Sequence, residues 1–298
     1  MTKREGLWGR TLIYGPPGAG KSWFGVSAFW DPVNRREVAR GKWVTFGQED
    51  NPFLLVPESC RSTRSGGSLR FVSPTLSDQA WLTRFDTFTK ALLDQARKAP
   101  PLDVLVIDGL SEFDMLYETT FKGVEGDSGK FAKWNGLMDT FFGIMQRLDP
   151  VELGANIIVT ARVRERKRGT DVEEHARKKD IEDDAAPFDY YPSIRGGFKD
   201  WLGHYFNSVF YVHTRKPKIP GGPSEHVLQV LTGGDYLTKL QGEHLWVPAG
   251  YPAELVNPTF YDVQHRLEDL LGMPHILPLK EVVTVPARER EIENEKEE

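Results

Sequence analysis

The stretch TLIYGPPGAGKSWF, Thr11–Phe24, constrains this chain more than any other part of it. A short apolar run of strand character leads into GPPGAGKS, Gly15–Ser22, and a helix-compatible segment follows. These eight residues fit the pattern G-x-x-x-x-G-K-[S/T] in full. Gly15, Gly18 and Gly20 let backbone N–H groups turn inward around phosphate oxygens. A helix starting near Lys21 adds the positive end of its dipole. Lys21 is then expected at the β- and γ-phosphates, and the Ser22 hydroxyl on Mg2+. The nucleotide-contacting stretch is read as Gly15, Pro16, Pro17, Gly18, Ala19, Gly20, Lys21, Ser22 and the adjoining Trp23. The plain alternative is a Gly-Pro turn, since such dipeptides mark loops generally. The complete motif between strand and helix favours the pocket.

Carboxylates supply the rest of such a site. Asp108 ends VLVID, a buried-strand run, and an Asp at a strand's carboxyl end beside the loop suits Mg2+. Ser22 and Asp108 are therefore the expected metal residues, with Glu112 close enough to assist or to cap the next segment. Glu49 follows the second strand and is a candidate to orient and polarise an attacking water, although Gln48 and Asp50 flank it. Thr160 and Arg162 end a further strand, where a polar residue can sense a γ-phosphate; Arg162 equally suits the charged segment after it.

Composition bounds the remaining classes. The chain has 298 residues, 39% hydrophobic and 27% charged, enough for one large α/β domain or two small ones. No apolar run approaches the roughly 18 residues of a membrane span. The start MTKREGLWGR is charged and enters a strand directly, so no signal peptide is expected. Cys60 is the single cysteine, which excludes an internal disulfide framework and suits a reducing cytoplasm. No Cys/His cluster has metal-site spacing, and the seven scattered histidines read as surface or core residues. The net charge is −5, of which the last ten residues, EREIENEKEE, carry −4. A global basic footprint for nucleic acid is absent, so any such binding must be local.

Along the chain, strands are expected at 11–14, 42–50, 68–74, 102–110 and 155–160, and a hairpin at 208–215 and 226–232. Helices are expected at 21–30, 77–98, 131–148 and 260–272. Trp81, Phe85, Phe88 and Leu92 recur at helical spacing, with Ser77 and Asp78 as candidate caps. Alternating strands and helices predict an α/β fold: a mostly parallel sheet flanked by helices, with a C-terminal β-hairpin adding antiparallel edge strands. One domain is expected over 1–275, followed by an acidic tail over 276–298 read as disordered.

The order of motifs resembles the RecA-type P-loop ATPase core. IYGPPGAGKS, VIDGLSEF and IIVTAR together resemble, more narrowly, the phage-encoded RecA-like ATPases of the Sak group, over residues 8 to about 250. The resemblance implies ATP and Mg2+ as cofactors, a homo-oligomeric ring or filament, and action on single-stranded DNA in recombination or annealing. It implies a host-cytoplasmic location if the chain is phage-encoded. It places the water-activating glutamate at Glu49, which joins Lys21, Asp108 and Arg162, read from their motifs and strand ends, as the expected catalytic residues. Lys239, in GGDYLTKLQG, stands where the family carries a basic residue that reaches a neighbouring subunit's nucleotide. The family's usual Arg two positions later is Gln241 here, and its usual D-E-G after the second strand is GQED. By analogy, the acidic tail is a candidate protein-partner segment.

RVRERKRGTDVEEHARKK, 162–179, is dense in Arg and Lys, with Phe188, Tyr190, Tyr191 and Phe198 downstream. Cations and aromatics of this kind can hold a single strand by its phosphates and bases. The interleaved Glu165, Asp171, Glu173 and Glu174 suit a solvated loop equally well. Two other functions stay open: a small-molecule phosphotransferase with 162–179 as its lid, and a nucleotide-gated interaction protein that turns over poorly.

Overall fold

The computed structural model describes residues 6–31, 36–37, 39–46, 68–71, 80–98, 102–121, 129–165, 190–194, 204–217, 222–232 and 235–275. Its main sheet is mixed but mostly parallel. Strands β1 (Arg10–Gly15), β4 (Gly41–Phe46), β5 (Ser68–Phe71), β6 (Val104–Asp108), β7 (Asn156–Glu165) and β9 (Ser208–Arg215) run parallel in the order β9-β1-β7-β6-β4-β5. Strands β10 (Glu225–Gln229) and β11 (Glu254–Val256) extend the β9 edge antiparallel, and β8 (Tyr190–Pro192) pairs with the far end of β7. A separate two-stranded ribbon joins β2 (Trp30–Asp31) to β3 (Arg36–Glu37).

The sequence runs that carry no polar alternation belong to strands covered on both faces. Side chains alternate with period two, so each such strand feeds two cores. Leu105 and Ile107 of β6 join Leu12, Tyr14, Ile157, Val159, Val209 and Tyr211 on one face. Val104 and Val106 join Ile13, Ile158, Phe210 and Val212 on the other. The first face is covered by α2 (Ala80–Ala96), α3 (Leu110–Thr120), α4 (Gly129–Arg147) and α5 (Pro150–Leu153). The second is covered by α1 (Lys21–Ser27), by the turn Glu243–Trp246 and by the helix Phe260–Leu271. The observed class is thus an α/β fold with helices on both faces of a mostly parallel sheet, compatible with a Rossmann- or P-loop-like arrangement.

Aromatic packing anchors the sheet's carboxyl edge. The Phe46 ring meets Phe85 at 5.0 Å, Phe113 at 5.1 Å and Trp81 at 6.0 Å, all edge-on. Such pairs add about 0.5–1.5 kcal/mol each beyond their buried area. Trp81 Nε1 donates to Thr120 Oγ1 at 2.9 Å, which satisfies its buried indole. At the opposite edge, the Arg10 guanidinium donates to the carbonyls of Met145 and Leu148 at the end of α4, where a cation suits the helix dipole. Arg40 makes a two-pronged pair with the buried Asp103 carboxylate, at 3.1 and 3.0 Å, tying the starts of β4 and β6.

Several boundaries differ from expectation. The first helix ends at Ser27, not residue 30: the Ser27 hydroxyl donates to Phe24 O and accepts from Phe260 N, so the chain turns there into β2. The strand at 155–160 runs on to Glu165 because β8 pairs with it at Val163, Arg164 and Glu165. Helix α3 was not expected; its signal is the spacing of the buried Leu110, Phe113 and Tyr117. The predicted cap Ser77–Asp78 and the acidic tail lie outside the described residues. Among the described residues, no helix is long and apolar enough to cross a membrane.

Candidate functional site

The candidate site lies at the carboxyl edge of the parallel strands, where open α/β sheets place their ligands. Register builds it. Ile13 of β1 pairs with Thr160 of β7, and Gly15 with Arg162. Thr160 in turn pairs with Asp108 of β6, and Asp108 with Thr45 of β4. Three neighbouring strands thus bring the loop, a hydroxyl and a carboxylate to one level.

The loop turns tightly between β1 and α1. A side chain at Gly15 would place its Cβ 2.0 Å from the backbone carbonyl oxygen of Val212 on β9, so only glycine fits. Gly20 caps α1 with φ +98°, in the left-handed region that favours glycine. Glycine at this position has no side chain, so no side-chain oxygen caps the first turn. Lys21 Nζ donates to Gly15 O at 2.9 Å and to Pro16 O at 2.8 Å, which holds the ammonium across the loop.

Opposite the loop, Ser22 Oγ donates to Asp108 Oδ2 at 3.4 Å, and the Thr160 hydroxyl donates to Asp108 Oδ1. Thr160 is 1% exposed, so this hydroxyl is spent inside the protein, on the carboxylate. Asp108 therefore receives a hydroxyl on each oxygen, which orients it. Serine hydroxyl and carboxylate oxygens are hard donors, the set that Mg2+ takes alongside substrate phosphates. With the glycine cradle beside them, these residues fit a phosphate–Mg2+ group.

Next to Asp108, a Cβ at Gly109 would lie 2.4 Å from Glu112 Oε2, so a side chain there would displace the Glu112 carboxylate. Glu112 Oε1 accepts from Arg162 Nε at 2.6 Å, with Arg162 47% and Glu112 12% exposed. Ser111, which the sequence did not single out, accepts from Arg162 N at 2.9 Å and donates to Ser193 O at 2.8 Å. It fastens β7 and the β8 segment to the start of α3. Arg162 is thus within the strand rather than at its end, and its guanidinium reaches the carboxyl edge from there.

His226 is a second residue that sequence reading missed. It stands on β10, yet its Nδ1 lies 3.0 Å from the carbonyl oxygen of Ala19. A carbonyl only accepts, so Nδ1 carries the proton. A Cβ at Gly20 would sit 3.0 Å from the same ring nitrogen. No local pattern marks such a contact, because 207 residues separate the partners.

The aromatics predicted near the basic segment divide. Tyr190 packs inward, stacked on Tyr211 at 5.8 Å and 5.3 Å from Tyr236, and its carbonyl accepts from Tyr14 Oη at 3.1 Å. Burial pushes the Tyr14 hydroxyl well above the ordinary phenol range and Tyr211 up to about 12. Tyr191 keeps Arg164 over its ring at 6.0 Å. Phe188, Phe198 and the basic residues from 166 to 179 lie outside the described residues, as do Gln48, Glu49 and Asp50.

Lys239 belongs to a different edge. It bridges Val209, near the start of β9, and its Nζ donates to Phe206 O at 2.9 Å. Val209 is level with Leu12, three residues before Gly15, or about 10 Å at the rise of a strand. Within its own chain, Lys239 is not gathered with Lys21, Ser22, Asp108 and Thr160.

No model of a known protein family matches the chain, and no curated protein is similar to it in sequence.

Proposed function

We propose that this chain is a Mg2+-dependent ATPase with a RecA-like core, acting on single-stranded DNA in phage-type recombination or annealing, as a homo-oligomer. One observation carries the nucleotide half: a complete phosphate loop, Ser22, Asp108 and Thr160 meet at one strand edge. The RecA-like reading draws support from β7 lying between the loop strand and the Asp108 strand, with its polar residues at the site.

In this reading Lys21 exchanges the carbonyls of Gly15 and Pro16 for β- and γ-phosphate oxygens. Ser22 and Asp108 hold Mg2+, which when bound neutralises charge on the phosphates. Thr160 keeps the Asp108 carboxylate turned toward Ser22. Arg162 leaves Glu112 for the terminal phosphate, where a guanidinium is worth most as charge develops. Glu49 follows β4, the neighbour of the Asp108 strand, and takes the proton of the attacking water. DNA binding rests on the cations of 162–179, and hydrolysis switches it by reordering 163–200.

The test is ATPase rate with and without single-stranded DNA at two salt concentrations. Stimulation by DNA that fades at high salt is the expected result. Phosphate transfer to an added nucleoside without any DNA effect favours a phosphotransferase instead. Tight ATP binding with negligible turnover favours a nucleotide-gated interaction protein. ATP binding unchanged by Lys21→Ala removes the phosphate-loop reading altogether.

A further inference from the structure

The helix Phe260–Leu271 carries a second cluster, separate from the phosphate loop. Its first turn packs on the far end of α1: Tyr261 Oη donates to Ala28 O, and Phe260 N to Ser27 Oγ. Farther along, His265 and Glu268 share one face, three residues apart. The helix stops at Gly272, φ +62°, where the N–H of Met273 returns to Glu268 O at 2.8 Å. That left-handed turn swings the following chain back over the helix and brings His275 to the same face. The rings of His265 and His275 stack 4.5 Å apart at 6°.

We propose that His265, Glu268 and His275 form a binding site for a divalent transition-metal ion of the Zn2+ class. Their ligating atoms all lie within 4.8 Å of one another. Two donors on one tetrahedral Zn2+ stand about 3.4 Å apart, so the three side chains must draw inward by about 1 Å to close the set. Two imidazoles and one carboxylate are the donors that Zn2+ takes, and not those that Mg2+ or Ca2+ prefer.

Two features around the cluster fit a cation. Glu268 is fully buried, at 0% exposure, and its Oε1 accepts from the neutral amide of Gln264 at 2.8 Å. A carboxylate in this buried position is a strong ligand for a cation placed beside it. Asp269 holds His275 through Nε2 at 2.8 Å, as carboxylates orient the imidazoles of metal sites.

The ion would pin the chain beyond Gly272 to the last helix of the second core. The ligands come from a helix and its own C-terminal turn, which keeps the site local and leaves a fourth position for water. Cys/His spacing does not reveal such a set, because one ligand is a glutamate and the last follows the turn.

The test uses the full chain without nucleotide, with Zn2+ alone, titrated against a chromophoric chelator. One equivalent of Zn2+ should bind the wild-type chain and raise its unfolding temperature. His275→Ala should abolish both effects. Asp269→Asn alters a side chain that is 60% exposed, so it leaves the core intact, and it should weaken Zn2+ binding about 10- to 100-fold. Absence of saturable Zn2+ uptake by the wild-type chain overturns the proposal. So does uptake that either variant leaves unchanged.

Discussion

The ring of His226 on β10 donates from Nδ1 to the carbonyl of Ala19, so the antiparallel edge of the sheet braces the glycine-rich loop between β1 and α1. Ala19 is itself fully buried, which leaves this carbonyl no water to turn to. The loop is therefore held from two sides, by the Lys21 ammonium across its mouth and by His226 beneath the Gly20 turn.

Removing that brace should loosen the loop without unfolding the chain. A hydrogen bond of this kind contributes about 0.5–1.5 kcal/mol net. His226→Ala is expected to weaken nucleotide binding about 3- to 10-fold, read by titration with a fluorescent nucleotide. His226→Asn, whose amide nitrogen stands close to the position of Nδ1, should recover much of the loss. Equal affinity in His226→Ala and the wild type would show that the loop holds itself.

Two glycines should respond to alanine in opposite senses. At Gly15 the obstacle is the backbone oxygen of Val212, 2.0 Å from the new Cβ, and no rotamer relieves it. Gly15→Ala should cost about 3 kcal/mol or more. Gly143 lies within α4 with open space around its Cβ position. Gly143→Ala should stabilise by about 0.5–1 kcal/mol, since helical glycine carries that entropy cost. Urea midpoints of the two variants check both signs.

Thr160 and Arg162 separate structural from catalytic effects. Thr160→Val keeps the buried shape but removes the hydroxyl from Asp108, at about 1–3 kcal/mol of stability. Its turnover should fall more than nucleotide affinity, because Asp108 loses its orienting donor. Arg162 pairs with Glu112 at a half-exposed position, where ion pairs are worth about 0–1 kcal/mol. Arg162→Ala should thus barely move the unfolding midpoint while cutting turnover about 10-fold. Wild-type turnover in this variant would remove Arg162 from the chemistry.

Alkaline pH should unfold the protein through its tyrosines. Burial raises Tyr14, Tyr117, Tyr211 and Tyr236 above the ordinary phenol range, Tyr211 to about 12. These groups bind their protons more tightly when folded, so they stabilise fully below the unfolded value near 10. That stability is lost as pH rises from about 10 through the folded values, at about 1.4 kcal/mol per pH unit for each proton released. Absorbance of the phenolate should show these residues ionising together with loss of circular dichroism. Independent ionisation near pH 10 in a still-folded chain would contradict the burial of Tyr14 and Tyr211.

Much of the framework was legible because it is local or periodic. The strand–loop–helix around Gly15–Ser22, the buried runs VLVID and NIIVT, and the hairpin of β9 and β10 follow from apolar pattern and turn chemistry acting over a few residues. Lys21, Ser22, Asp108, Thr160 and Arg162 could be named for the same reason: each stands at a fixed offset from a strand end. Other features fell between such patterns. Helix α3 begins directly after a strand with no capping side chain, and β7 outruns its apolar portion only because β8 lies beside it.

The sequence by itself determined residue chemistry, strand and helix phase, and hence an α/β sheet with a phosphate-type loop at its edge. Tertiary structure alone decided which strand ends are neighbours. The order β10-β9-β1-β7-β6-β4 set Thr160 against Asp108, laid Val212 against Gly15 and brought His226 under Ala19. It also kept Lys239 at the other edge, and the turn at Gly272 carried His275 back to His265 and Glu268. The physical reason is common to all of these. Local propensity fixes the direction of a segment within a few residues, whereas these contacts span up to 207 residues and exist only once the cores on both faces close.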